Sequence, residues 1–138
     1  MSLQYLLDTN IISEPLKLES NKQVLQLIEK YQDKIALPSF VVYEVINGAY
    51  KLPVSAKRKR ILNYVEQVML QLPVLDYTQE SAIWHGEEMA RLQSLGQTAS
   101  FLDSQIASVA KVNNLVLVTR NISDFKNFEG LDIVNWFN

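Results

Sequence analysis

Short apolar runs alternate along this chain with longer segments in which apolar residues recur at helical spacing. The short runs predict strands at residues 5–7, 34–38, 73–76, 115–118 and 132–136. The longer segments predict helices at residues 21–31, 40–52, 55–72, 78–95 and 100–113. Residues 55–72 follow the period of 3.6 residues most closely, which predicts one continuous helix there.

The central strand segments read as unbroken apolar runs, and residues 115–118 contain no polar side chain at all. Strands that are covered on both faces have this pattern. The alternation of strands and helices predicts an α/β protein, a three-layer α/β/α sandwich around a mostly parallel sheet of about five strands. Residues 132–136 are expected at the sheet edge. With no repeat or linker, residues 1–138 are predicted to form a single domain.

Polar and conformationally special residues mark several helix ends. Ser39 and Thr78 are predicted N-caps, Pro53 is expected to stop a helix, and Gly96 to close another. In the helix at residues 100–113, the side chains expected to face inward are Leu102, Ile106, Val109 and Ala110.

Composition narrows the class of protein. The chain has no cysteine, which excludes disulfides, thiolate metal sites and a thiol nucleophile. No apolar run reaches the length of a membrane span and no signal-peptide pattern begins the chain, so a cytoplasmic protein is expected. A net charge of −2 argues against a broadly basic nucleic-acid binder. One local basic patch, consisting of Lys57, Arg58, Lys59 and Arg60, is either a solvated helix face or a contact for a phosphate backbone.

Acidic residues cluster where ligands of parallel sheets bind, beyond the carboxyl ends of the strands. Asp8 follows the first strand, while Glu44 and Asp103 lie near the starts of predicted helices. Each has a structural alternative. Asp8 is also a candidate cap or turn residue, Glu44 a candidate salt-bridge partner of Lys51 or Lys34, and Asp103 part of a capping box. Two further acids, Asp76 and Asp124, are also compatible with solvated turns.

Oxygen ligands without a histidine or cysteine cluster favour Mg²⁺ or Mn²⁺ over Zn²⁺. Clustered carboxylates repel one another, and a proton or a divalent cation relieves that repulsion. Mg²⁺ held by carboxylates mostly serves phosphoryl transfer. The single histidine, His85, lies in the middle of a predicted helix and is expected to be a surface or half-buried residue without a catalytic role.

Four segments of the chain resemble the motifs of PIN domains, in particular those of VapC-type toxins of bacterial and archaeal toxin–antitoxin pairs. These segments are residues 6–13, residues 41–49 around Glu44, residues 101–110 around Asp103, and residues 116–125. They occur in the family's order and span nearly the whole chain. The resemblance implies an α/β/α sandwich and a Mg²⁺- or Mn²⁺-dependent endoribonuclease that acts as a homodimer. It also implies a cognate antitoxin that blocks the site, and it makes tRNA a reasonable substrate class.

Mapped by motif, the resemblance implies that Asp8, Glu44 and Asp103 are the acids of the metal site. Our hypothesis is that Asp8 and Asp103 hold the metal directly. Glu44 would complete the cluster, directly or through water, and assist in deprotonating the attacking water. Residues that would hydrogen-bond water or phosphate are Thr9, Asn10, Thr119 and Asn121. Some relatives carry an acid where this chain has Asn121, with Asp124 three residues on. Either Asp124 is a fourth catalytic acid or Asn121 orients the nucleophile.

Three other functions remain compatible with the sequence. An aspartate at the end of the first strand also occurs in phosphatases with an aspartyl-phosphate intermediate, but those need a second aspartate where this chain has Asn10. A PIN-fold RNA-processing nuclease outside a toxin system would share the same acids. A non-catalytic interaction domain would leave Asp8, Glu44 and Asp103 far apart.

Overall fold

Five parallel strands form the central sheet of the computed structural model, which describes residues 2–137. The strands are β1 (Tyr5–Leu7), β2 (Ile35–Pro38), β3 (Val74–Leu75), β4 (Val116–Val118) and β5 (Ile133–Val134). Their order across the sheet is β3-β2-β1-β4-β5, and each neighbouring pair is parallel. The predicted parallel sheet and the predicted edge position of the last strand are therefore confirmed.

Helices connect the strands on both sides of the sheet. They are α1 (Thr9–Ile12), α2 (Lys22–Lys30), α3 (Ser39–Lys51), α4 (Ala56–Gln67), α5 (Gln79–Ser94), α6 (Phe101–Val112) and α7 (Ile122–Phe125). Short 3₁₀ helices occupy Glu14–Leu16 and Met69–Gln71. Successive crossovers step from β1 to β3 in one direction and from β3 to β5 in the other. Because such crossovers are right-handed, α1–α4 cover one face and α5–α7 the opposite face.

The core lies along the three inner strands. Leu6, Leu7, Leu37 and Leu117 are completely buried, as expected for strands covered by helices on both faces. The residues of edge strands β3 and β5 are only partly buried. No helix within residues 2–137 has the length and apolar character needed to cross a bilayer.

The predicted helix at residues 55–72 is shorter than expected. Helix α4 ends at Gln67, and the 3₁₀ turn that follows buries Met69 but exposes Val68 and Leu70. Leu72 is already extended, as the residue before a proline prefers, so the chain must leave the helix before Pro73 and β3. The apolar spacing continues through this turn, which is why periodicity alone overestimates the helix.

Two further details of the helices differ from expectation. Ser39 is the first residue of α3 and not its cap: Pro38 occupies the N-cap position, with no side-chain hydrogen bond. Leu102 is 47% exposed, whereas Ile106, Val109 and Ala110 are buried as predicted. Leu102 faces out because it lies in the first turn of α6, at the open edge of the sheet. The predicted cap at Thr78 is confirmed, and Ser100 caps α6 as the capping box predicted around Asp103 requires.

Candidate active site

Asp8 lies at the centre of the carboxyl edge of the sheet, directly after the middle strand β1. It is buried, and its carboxylate accepts three hydrogen bonds. The backbone N–H of Thr9 donates to Oδ1 at 2.8 Å, while Thr119 Oγ1 and Asn10 Nδ2 donate to Oδ2 at 2.8 and 3.3 Å. Asp8 therefore caps the short helix α1, as the structural alternative proposed, and also points its charge at the edge where ligands bind.

Three carboxylates from three layers of the fold line one cavity of about 310 Å³. Asp8 comes from the sheet, Glu44 from α3 on one face, and Asp103 from α6 on the other. The remaining lining residues are Thr9, Asn10, Ser100, Leu102, Ile106 and Asn121. Side chains that are far apart in sequence thus line one cavity. Most of its wall consists of carboxylate, hydroxyl and amide groups, and two apolar side chains, Leu102 and Ile106, complete it.

The carboxylate of Glu44 is half-buried within α3 and is bonded to the strand-end segment. Thr9 Oγ1 donates to Glu44 Oε1 at 2.6 Å. Among the described residues, neither Lys51 nor Lys34 forms an ion pair with Glu44, so the salt bridge considered as an alternative is absent. A neutral hydroxyl holds this carboxylate without neutralising it.

Asp103 has both of the roles that its position suggests. Its backbone N–H donates to Ser100 Oγ at 3.0 Å, which caps α6, and its side chain still faces the cavity. Asp124 lies outside that cavity, on the exposed side of α7. It lines an adjoining hollow of about 200 Å³ that it shares with Asp103. Asn121 lines the main cavity and its N–H donates to Thr119 Oγ1 at 3.1 Å.

The site is electrostatically strained. Burial raises the pKa of Asp8, Glu44 and Asp103, and the negative charges of neighbouring acids raise each of these pKa values further. Asp124 contributes to the repulsion felt by Asp8 and Asp103. No lysine or arginine of the described chain forms an ion pair with any of the three. A bound cation is the simplest way to offset these charges.

The donor set fits a hard divalent cation, since all of the polar groups facing the cavity are oxygens or amides. Within residues 2–137, however, no three acidic or histidine side chains stand close enough together to form a preformed metal cage. Mg²⁺ commonly binds through one or two carboxylates and keeps several waters. The arrangement therefore fits an ion held by two carboxylates, with the third acting through water.

Other candidate residues lie away from the cavity. Asp76 is exposed after edge strand β3. The basic patch forms the start of α4, where Lys57 and Lys59 are exposed. Arg58 lies over the ring of Tyr50 at 4.4 Å, and Arg60 Nη1 donates to the carbonyl of Leu16 at 2.8 Å. None of the four basic residues lines the cavity.

His85 is a correction to the sequence prediction, because only 4% of it is exposed. Its ring forms hydrogen bonds to Tyr77 and Ser104, and burial lowers its pKa. Another residue that the sequence analysis did not single out is Arg120, whose N–H donates to Asn10 Oδ1 at 3.0 Å and so helps to hold Asn10 beside Asp8. Its position in the sequence, directly after Thr119 at the end of β4, could have indicated that Arg120 lies beside the site.

Comparison with known proteins gives a consistent result. The family model of the PIN domain matches residues 5–131. The tRNA(fMet)-specific endonuclease VapC of Salmonella typhimurium is 31% identical over 134 residues, covering 97% of this chain and 98% of the relative. Toxin FitB of Neisseria gonorrhoeae is 29% identical over 125 residues, covering 87% of this chain and 89% of the relative.

A solved structure extends the likeness to the whole fold. The crystal structure of DNA-bound VapBC from Salmonella typhimurium contains a chain with a TM-score of 0.85 and 30% identity, covering 97% of this chain and 98% of that one. The sheet order, the acid-lined cavity at its carboxyl edge and the family match over residues 5–131 agree with one another. The chain belongs to the PIN domain family.

Proposed function

We propose that this chain is an endoribonuclease that hydrolyses phosphodiester bonds in RNA with Mg²⁺ or Mn²⁺, and that it is the toxin of a toxin–antitoxin pair. The observation that carries the proposal is the convergence of Asp8, Glu44 and Asp103 on one cavity of a PIN domain. The raised pKa values of these acids and the absence of a paired cation among the described residues support a divalent ion as their partner.

Asp8 and Asp103 hold the ion in this proposal. When bound, Mg²⁺ supplies a water of lowered pKa and stabilises the negative charge that develops on the phosphate. Glu44 accepts the proton of the attacking water, for which a raised pKa suits it, because a base whose pKa is closer to neutral transfers protons more effectively near neutral pH. Thr9 holds Oε1 of Glu44, which leaves Oε2 as the proton acceptor.

The amide and hydroxyl groups at the strand ends orient the acids and the water. Thr119 and Asn10 fix Asp8 through its Oδ2, and Asn121 faces the cavity where some relatives have an acid. Asn121 therefore orients water or phosphate, and Asp124 acts through water from the adjoining hollow. An aspartyl-phosphate mechanism is not favoured, since Asn10 provides an amide donor to Asp8 where an acid would be needed.

The cleavage assay tests the enzymatic part of the proposal. We expect the purified chain to cut RNA, including tRNA, with Mg²⁺ or Mn²⁺ and to lose that activity in EDTA. Asp8→Asn should abolish cleavage, whereas Asp76→Asn, at an exposed acid outside the cavity, should leave it unchanged. Cleavage that survives EDTA, or that persists in Asp8→Asn, contradicts the metal assignment. Metal binding without any cleavage supports a non-catalytic interaction domain.

Growth measurements test the toxin part. Expression of the native chain should arrest growth, and both Asp8→Asn and co-expression of the cognate antitoxin should relieve the arrest. The relatives include a protein named Toxin FitB and a VapBC structure bound to DNA, which supports an antitoxin as partner. RNA cleavage without growth arrest favours an RNA-processing nuclease outside a toxin system.

A homodimer belongs to the same proposal. Aromatic and aliphatic side chains line a hollow of about 210 Å³ beside α3 and α6, where Tyr43 is 57% and Tyr77 39% exposed. A contiguous apolar patch of this kind is typical of a protein interface. Sedimentation should show a dimer that Tyr43→Glu dissociates, while Leu18→Glu, at a fully exposed residue outside this patch, leaves the dimer intact. A native chain that sediments as a monomer contradicts this assembly.

A further inference from the structure

The buried histidine links the two long helices on one face of the sheet. His85 belongs to α5, and its Nε2 lies 2.7 Å from Oγ of Ser104 in α6. Across the described residues this is the one side-chain hydrogen bond that joins α5 to α6. Ser104 is completely buried and immediately follows Asp103. The contact therefore acts on the same helical turn that carries an acid of the candidate site.

The directions of the hydrogen bonds follow from the partners. Ser104 Oγ donates its single proton to the carbonyl of Phe101 at 2.9 Å, so it must accept from His85 Nε2. Nδ1 is then the acceptor, and Tyr77 donates its hydroxyl proton to it at 2.8 Å. A continuous series of hydrogen bonds thus runs from Tyr77 through His85 and Ser104 to the backbone of Phe101. It fixes a neutral imidazole with its proton on Nε2.

The first turn of α6 packs against α5 through apolar contacts such as that of Phe101 with His85, but it has few other polar attachments. Residues 97–100 before α6 form neither helix nor strand, and residues 97, 98 and 100 are exposed. The Ser100 cap bonds the start of α6 to itself and not to the rest of the molecule. Asp103 forms no ion pair among the described residues. The His85–Ser104 hydrogen bond is therefore the polar contact that sets where this turn lies relative to α5.

We infer that His85 is a positioning residue, which holds the first turn of α6 through Ser104 so that Asp103 can bind the divalent ion. The inference rests on the proposed metal-dependent function and adds a residue outside the cavity to its machinery. Residues that orient the ligands of a metal contribute to affinity without touching the ion. If the hydrogen bond to Ser104 matters, metal affinity depends on which ring nitrogen makes it. If His85 only fills space, metal affinity does not depend on that nitrogen.

Two substitutions of His85 separate the effect of its hydrogen bond to Ser104 from the effect of its packing. His85→Gln keeps an amide donor near the position of Nε2, so the bond to Ser104 can form. His85→Asn has a shorter side chain whose amide lies near the position of Nδ1, so that bond is lost. Ser104→Ala removes the same bond from the other end with little change of volume, and it also removes the bond from Ser104 to the carbonyl of Phe101. Gln93→Ala, at an exposed residue of α5 outside this network, serves as a control.

Calorimetric titration of the full chain with Mn²⁺, at fixed pH and without RNA, measures the effect directly. We expect His85→Asn and Ser104→Ala each to weaken Mn²⁺ binding about tenfold, the lower end of the range for residues that orient metal ligands. His85→Gln and the control Gln93→Ala should bind within about twofold of the native chain. The double variant His85→Asn/Ser104→Ala should be no weaker than Ser104→Ala alone, because Ser104→Ala already removes the bond that His85→Asn removes.

Equal Mn²⁺ affinity in the native chain, His85→Asn and Ser104→Ala overturns the inference and leaves His85 as a packing residue. Equal weakening in His85→Gln and His85→Asn overturns it too, because the bonded nitrogen would then be irrelevant. Circular dichroism checks the fold, and if His85→Asn does not fold, Ser104→Ala decides. A native chain that binds no Mn²⁺ at all contradicts the proposed function instead, so the two failures are distinct.

Discussion

At the scale of single residues, two acids of the candidate site also stabilise helix starts. Asp8 caps α1 through its carboxylate, and the backbone of Asp103 is bonded within the Ser100 cap. A helix N-terminus favours negative charge, which partly offsets the repulsion among the acids. An acid at such a position can therefore have a structural role in the helix start and a functional role in the cavity at the same time.

Asp103→Asn should stabilise the metal-free protein. Burial, and the charges of Asp124 and Asp8, raise the pKa of Asp103 above its ordinary value. The folded state therefore loses stability as the pH rises through the unfolded pKa towards the folded one, and an uncharged Asn avoids this loss. We expect a gain of about 0.5–2 kcal/mol at pH 7 in EDTA.

Thermal unfolding with and without Mn²⁺ measures this effect. Mn²⁺ should raise the melting temperature of the native chain and leave that of Asp103→Asn nearly unchanged, since the variant lacks a ligand. Asp76→Asn serves as the exposed control. A metal-free Asp103→Asn protein that melts below the native one contradicts the idea of a strained acid cluster.

Thr119→Val should shift the pH dependence of metal binding. The hydrogen bond from Thr119 lowers the pKa of Asp8 and so opposes the effect of burial. Removing the bond raises this pKa, so protons compete with the metal up to a higher pH. When Mn²⁺ affinity is measured across pH, the pH below which affinity falls should be higher in Thr119→Val than in the native chain. Thr119→Ser, which keeps the hydroxyl, should restore the native profile, and superimposable native and Val profiles would refute the role of the bond.

Sequence reasoning finds the acids but not the contacts between them. Asp8 and Thr119 could be expected at the sheet edge because each follows an apolar strand. The hydrogen bond from Thr9 to Glu44 depends on how α1 packs against α3, which spacing along the chain does not encode. His85 was misjudged for the same reason, since its burial follows from the packing of α5 against α6.

At the scale of elements, the loop after α7 is attached to α5 by a buried carboxylate. Glu88 accepts two bonds from Arg91, both at 2.7 Å, and a third from the N–H of Glu129 at 2.6 Å. Arg91 also donates to the carbonyl of Asn127. The ion pair thus fixes the chain that leaves α7 on its way to β5. Charge and spacing along α5 could suggest the Glu88–Arg91 pair, but not its third partner.

Glu88→Gln should destabilise the protein by about 1–3 kcal/mol at pH 7, because it removes a buried charged acceptor and the two hydrogen bonds that the carboxylate receives from Arg91. Hydrogen bonding to Arg91 lowers the pKa of Glu88 below its ordinary value of 4.5. Its contribution is therefore present above the unfolded pKa and is lost as the pH falls through the folded one.

Urea unfolding of the native chain and of Glu88→Gln across pH measures this difference. The gap in unfolding free energy should be constant near neutral pH and shrink below about pH 4.5. Glu87→Gln, at an exposed neighbour on the same helix, should be close to neutral. A gap that does not change with pH would assign the effect to packing and not to charge.

At the scale of the whole molecule, the distribution of charge matters more than its sum. The chain carries a net charge of −2, and its acids converge on the candidate site, yet RNA is a polyanion. Arg58 and Arg60 have contacts within the protein, while Lys57 and Lys59 extend from the start of α4. These two lysines are the members of the basic patch that we expect to contact phosphate.

The double variant Lys57→Gln/Lys59→Gln should bind RNA more weakly and with a smaller dependence on salt. Each lost phosphate contact on a single strand lowers the slope of log affinity against log salt by about 0.7. Binding is measured in EDTA, which prevents cleavage. Lys22→Gln/Lys30→Gln on α2 is the control with the same change of net charge. Equal slopes in the two double variants would exclude the α4 patch from the RNA surface.

The position of β1 between β2 and β4 has a consequence for how the molecule is made. Asp8 leaves the ribosome long before Thr119 does, but its strand pairs with β4 and its carboxylate accepts a hydrogen bond from Thr119. The hydrolytic centre therefore cannot assemble until β4 has emerged. A polypeptide that stops before β4 is therefore expected to be inert, and the cell meets a competent enzyme only after residues 116–119 have been made.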